Sequence, residues 1–164
     1  SMLETAIEAT DGQIGVDELA ELLAAGRRQL DHPVDLLPEV DETITALADA
    51  GYRLVVVTKG DLHHQERKIL ASGLADRFER LEIVAEKDPA TYRRVVASMD
   101  VPPERFAMVG NSVKSDVLPV LAIGGHAAHV PYHSTWAHEQ VEHPDDLVAL
   151  ERFADVPAWL ASLA

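Results

Sequence analysis

Residues 106–119 read FAMVGNSVKSDVLP. An apolar run from Phe106 to Val109 breaks at Gly110-Asn111-Ser112, and a lone carboxylate, Asp116, follows five residues after the asparagine. A buried strand that ends in small polar residues and leads into a helix is how an open α/β sheet presents chemistry at its carboxyl edge. The residues on either side extend that pattern. His126 to Pro131 reads as another strand after the Gly124-Gly125 break, and Val113 to Ile123 reads as the helix between the two strands.

Moving towards the amino terminus, Pro89 to Met99 reads as a helix and Leu81 to Ala85 as a short strand. Asp61 is placed to cap a helix that runs to about Ser72, with Gly73 as its stop. Tyr52 to Val57 is apolar at nearly every position, as expected of a strand covered on both faces. Pro38 opens the helix before it, whose stripe is Ile44 and Leu47, and Gly51 closes that helix. VDELAELLAAGRRQL, residues 16–30, carries Val16, Leu19, Leu22, Leu23 and Leu30 at helical spacing, and residues 2–9 form a shorter helix. A last helix follows Asp155. Strand and helix therefore alternate from residue 38 onward, which predicts an α/β fold with a doubly wound, Rossmann-like parallel sheet and a helical segment in front of it. The boundary is expected near HPVDLLP, where two prolines interrupt helical patterning, giving residues 1–35 and 36–164 as separate regions.

With 164 residues and 47% hydrophobic content, the chain has enough apolar mass for a substantial core. Twenty-eight acidic against 14 basic residues give a formal charge of −14, which argues against a nucleic-acid or anionic-membrane partner. Apolar runs such as LVVV at residues 54–57 fall far short of the roughly 20 residues that span a bilayer. The absence of cysteine excludes a disulfide framework and a thiolate metal site, and suits a cytoplasmic protein. His126, His129, His133, His138 and His143 have spacings that fit no compact metal site, and Pro131 breaks the one helical pair among them. Tyr132, Trp136 and Glu139 are expected to pack beside the mouth of the site, and His63-His64 to begin a helix at the surface.

Three strand ends stand out together. VVVTKG carries Thr58, VAEKDP carries Lys87, and MVGNSVKSD carries Asn111, Ser112 and Asp116. Parallel strands would bring them to one edge, where a hydroxyl, an ammonium and an acid–amide pair suit a phosphoryl group and a divalent ion. Each residue has an ordinary explanation when taken singly: Thr58 and Ser112 as helix caps, Lys87 as a solvated charge, Asp116 as a first-turn acid.

As a set, these motifs resemble those of the haloacid dehalogenase-like hydrolases, over residues from about Val34 to the end. Thr58 resembles the family's second motif, which hydrogen-bonds the phosphoryl oxygen. Lys87 resembles the third, a lysine that neutralises nucleophile and phosphate charge. Gly110-Asn111-Ser112 with Asp116 resembles the fourth, Gly-Asp-x-x-x-x-Asp, whose acids hold magnesium. The resemblance implies Thr58 and Lys87 as catalytic residues, Lys59, Gly60 and Ser112 as substrate contacts, and Asn111 and Asp116 as ligands of Mg²⁺. It also implies a small phosphorylated substrate and admits a homodimer.

Two departures accompany the resemblance. Asn111 stands where the family has an aspartate, and an amide brings no charge to a hard cation. The first motif, Asp-x-Asp at the end of an apolar strand, is absent. Its first aspartate is the family's nucleophile. Asp11, Asp17 and Asp41 follow helical or turn-like sequence. The expectation is a magnesium-dependent phosphatase of small phosphomonoesters whose nucleophile lies outside these residues, with residues 1–35 as the end of a helical cap and this chain inactive alone. The alternatives are a metal-independent 2-haloacid dehalogenase and a non-catalytic fragment of the fold. The missing strand would belong between the strands ending at Thr58 and Val109, leaving them about 10 Å apart, twice the usual spacing.

Overall fold

The structure, a computed structural model, describes residues 2–30, 34–132 and 147–163. It divides into two compact units, residues 1–35 and 36–164. The first contains α1 (Met2–Ala9) and α2 (Val16–Leu30). Asp11 and Gly12 take positive φ values of 50° and 76° to end α1, and the Gly12 amide returns to the Ile7 carbonyl at 2.8 Å. Leu19 and Leu22 are half-buried, while Val16 and Leu23 of the expected apolar stripe are exposed.

The second unit contains α3 (Val40–Asp49), β1 (Val55–Lys59), α4 (Leu62–Ala71), β2 (Arg80–Val84), α5 (Pro89–Ser98), β3 (Ala107–Gly110), α6 (Leu118–Leu121), β4 (His126–His129) and α7 (Val156–Ala161). It is an α/β fold with parallel strands. β1 pairs with β2, Val55 opposite Arg80 through Lys59 opposite Val84. β3 pairs with β4, Ala107 opposite His126 through Gly110 opposite His129. Among the described residues no backbone hydrogen bond joins β1 to β3, so the strands form two separate two-stranded ladders.

Side chains unite what the backbone leaves apart. Val57 of β1, Val84 of β2 and Ala127 of β4 share one cluster with Tyr92 and Val95 of α5, with Met99 at its C-cap, and with Val113, Val117 and Val120. Tyr92, Val95 and Met99 fall at i, i+3 and i+7, the single stripe expected of a helix lying on a sheet. At the amino ends of β1 and β2, Arg53 donates to Glu79 at 2.7 and 2.6 Å and to the Met99 carbonyl at 2.9 Å.

Several expectations shift. The first strand begins at Val55, not Tyr52, because its ladder partner begins at Arg80 and Tyr52 is exposed. Only Val57 of that strand is fully buried, so it is not covered on both faces. The helix after Pro38 starts at Val40, with Glu39 at φ 65° and the Thr43 hydroxyl donating to its carbonyl at 2.6 Å.

The helix expected over residues 113–123 is instead a π turn, Val113–Val117, followed by the short α6. Pro119 supplies a reason. It has no N–H to give the Ser115 carbonyl, four residues back. The hydroxyl of the fully buried Tyr92 donates to that carbonyl at 3.2 Å. Burial, and then the negative charge of Asp116, push the Tyr92 phenol well above its usual range, so it acts as a neutral donor.

Tyr92→Phe should therefore leave the Ser115 carbonyl without its partner and cost about 1–3 kcal/mol. Urea unfolding measures it, and a variant as stable as its parent would show that this bond does not support the turn.

Candidate active site

The polar residues after β3 are arranged by local chemistry. Ser112 caps the π turn, its hydroxyl accepting from the Ser115 amide at 3.2 Å, while the Ser112 amide donates to Asp116 Oδ2 at 3.0 Å. This is a reciprocal cap with the acid one position later than in an α-helix, as the wider turn requires. A Cβ at Gly110 would overlap the Asp116 carboxylate, so only glycine lets that side chain fold back against β3.

The other oxygen of Asp116 meets Lys87 Nζ at 2.6 Å. Both groups are withdrawn from water, with side-chain exposures of 14% for Lys87 and 4% for Asp116. Lys87 lies three residues past the end of β2 and Asp116 lies six past the end of β3. Their contact thus joins the carboxyl ends of the two ladders. Asp88, next to Lys87, caps α5 by accepting from the Thr91 amide at 2.8 Å, and this backbone bond chiefly holds its carboxyl below the usual range. The cap fixes where the chain turns immediately after Lys87.

Thr58 sits near the carboxyl end of β1, opposite Ile83. Its hydroxyl lies 3.3 Å from Gln65 Oε1 and 3.4 Å from the Lys59 carbonyl, both long contacts. Gly60 follows at φ 132°, and Asp61 caps α4 by accepting from the His64 amide at 3.0 Å. Lys59 reaches Glu86 at 3.0 Å across the same edge. Asn111 is exposed, and its carbonyl contacts His129 Nε2 at 3.1 Å. His126 Nε2 contacts the Glu104 carbonyl at 3.1 Å. His133, Trp136, His138, Glu139 and His143 lie outside the described residues.

An open cleft of about 460 Å³ adjoins the ion pair, lined by Lys59, Glu86, Lys87, Lys114 and Ser115 among others. Glu86, Lys114 and Ser115 were not singled out in the sequence. The available signal was that Lys59, Lys87 and Lys114 each fall at or just past the carboxyl end of a strand.

Magnesium requires near-octahedral oxygen ligation. Of the two ligands expected for it, Asp116 is a carboxylate whose two oxygens are engaged by Lys87 and the Ser112 amide, and Asn111 is uncharged. No group of three or more His, Asp or Glu side chains placed to hold a metal occurs among the described residues. These residues do not by themselves fit Mg²⁺.

The sequence model of the haloacid dehalogenase-like hydrolases matches residues 3–124. The chain belongs to that family. It is similar to a haloacid dehalogenase-like family hydrolase from Xanthomonas campestris, with 44% identity and a TM-score of 0.86 over 99% of this chain and 69% of that one. It is 31% identical to a phosphoserine phosphatase of Thermus thermophilus over 61% of this chain and 41% of the relative. It is 29% identical to a glyceraldehyde 3-phosphate phosphatase of Pyrococcus furiosus over 54% of this chain and 39% of the relative. The chain thus spans about two fifths of the length of the two phosphatases it matches.

A buried pair is far costlier to break than to replace. Lys87→Met should destabilise the chain by about 3–5 kcal/mol by stranding the Asp116 charge, whereas Lys87→Met combined with Asp116→Asn should recover much of that loss. Denaturant unfolding of Lys87→Met, Asp116→Asn and the double variant measures the coupling. Strict additivity would show that the two groups do not depend on each other.

Proposed function

We propose that this chain supplies the phosphate-binding side of a phosphatase active site acting on small phosphomonoesters. The observation that carries the reading is Lys87, an ammonium largely withdrawn from water at the carboxyl ends of both ladders and held there by Asp116. A fixed cation in such a place stabilises charge developing on a transferring phosphoryl group without reorganising during the reaction.

In this reading the Thr58 hydroxyl leaves its long contact with Gln65 and donates to a phosphoryl oxygen. Lys87 neutralises a second oxygen, and Ser112 and Asp116 keep Lys87 in register. The nucleophile is an aspartate from a segment outside these 164 residues, since none of β1 to β4 ends in Asp-x-Asp. Its carboxylate oxygen bonds to phosphorus as the ester P–O bond breaks, and a neighbouring acid protonates the departing alkoxide. Water then attacks phosphorus, releasing inorganic phosphate and restoring the aspartate. Residues 1–164 alone bind the phosphate group without turning it over. The magnesium ion expected from the family requires carboxylates beyond Asp116. Residues 1–35 are the end of a helical cap in the same reading, and the protein is cytoplasmic.

The test is phosphate release from p-nitrophenyl phosphate by the full-length protein that carries this chain, beside halide release from 2-chloropropionate. Phosphate release is expected, with Thr58→Ala lowering turnover about 10²-fold and leaving thermal stability close to that of the parent. Halide release without phosphate release would replace this reading with the dehalogenase one, and neither activity would leave a non-catalytic domain.

A further inference from the structure

Three of the chain's four lysines, Lys59, Lys87 and Lys114, line the cleft beside the ion pair, in a chain whose net charge is −14. None of its arginines lines that cleft. The three lysines differ in what they are committed to. Lys87 is locked to Asp116, nearly out of water. Lys59 meets Glu86 at 3.0 Å, but the two side chains are 43% and 72% exposed. An ion pair so open to solvent is weak and readily exchanged for a better-placed anion. Lys114 makes no ion pair or hydrogen bond among the described residues. Asp88, the other acid lining the cleft, already accepts from the Thr91 amide.

We propose that Lys59 and Lys114 recognise a second anionic group on the ligand, so that the preferred substrate is a small phosphomonoester that also carries a carboxylate or another phosphate. This rests on the phosphatase reading above and assigns its substrate class. A single phosphoryl group needs only one of the cleft's three ammonium groups to balance it in the manner described for Lys87. The remaining two belong to the cleft wall. The cleft volume of about 460 Å³ accommodates a ligand of several heavy atoms beyond the phosphoryl group. Glu86 then acts as a stand-in anion: it holds Lys59 when the cleft is empty and gives it up when the second anionic group arrives. The chain's net charge of −14 sharpens the choice, because a cleft that gathers three of its four lysines is where an anion meets the least repulsion.

The test is an NMR titration of the full chain with two ligands that cannot be hydrolysed, ethylphosphonate and phosphonoacetate, which differ in the carboxylate. Phosphonoacetate is expected to bind about tenfold more tightly, the usual size of one hydrogen bond to a charged group. Lys114→Gln should remove most of that advantage and change ethylphosphonate affinity by less than about twofold. Glu86→Gln should strengthen phosphonoacetate binding by releasing Lys59. Equal affinity for the two ligands, or a Lys114→Gln effect equal on both, would overturn the second-anion assignment and leave the phosphate site standing. Failure of both ligands to bind would overturn the phosphate site and this assignment together.

Discussion

Asp116 places a carboxylate where 4% of its side chain meets water, and the arrangement of the second unit follows from how that charge is satisfied. One oxygen takes the Ser112 amide and the other takes Lys87. The first bond requires the chain to turn tightly after β3, which requires glycine at 110 and a π turn in place of an α-helix. The second requires the chain leaving β2 to reach across to the chain leaving β3. A buried ion pair is seldom a net source of stability, because desolvation offsets most of the Coulomb attraction. What it does supply is geometric specificity, since each partner is costly without the other.

That geometric role matters because the backbone provides no equivalent between β1 and β3. Each ladder has two strands, a number marginal for independent stability. Their common support is the valine-rich cluster around Tyr92 and the α5 helix, with the Lys87–Asp116 pair at the carboxyl edge. A fold with this division leaves one edge of β1 and one edge of β3 without a strand partner among the described residues, and the Lys87–Asp116 contact lies past the carboxyl ends of both ladders. The ammonium groups in the neighbouring cleft suit an anionic ligand at the place where the ladders come together.

Much of this was legible in the sequence, for reasons that can be named. The helix bounds at Val16–Leu30 and Pro89–Ser98 follow from local spacing and caps, and Asp61 caps α4 through its own side chain. Thr58, Lys87, Asn111 and Asp116 were marked by their place after apolar runs. Other features depend on contacts far apart in sequence. The π turn needs Tyr92, 23 residues away from the carbonyl that its hydroxyl contacts. The start of β1 is set by Arg80, and the closeness of Lys87 to Asp116 by the packing of both ladders. Lys114 and Glu86 carry no motif and join the site only through the shape of the cleft.

The central structural claim is that β1 and β3 share no ladder among the described residues. Successive amides along a strand point to opposite sides, so an open edge leaves every second one without a strand partner. Residue-resolved amide hydrogen exchange on the chain reads this directly. The account predicts an alternating pattern in Val55–Lys59 and Ala107–Gly110, with protected amides facing β2 and β4 and fast-exchanging amides on the other side. Uniform protection along both strands would show a continuous sheet and contradict it.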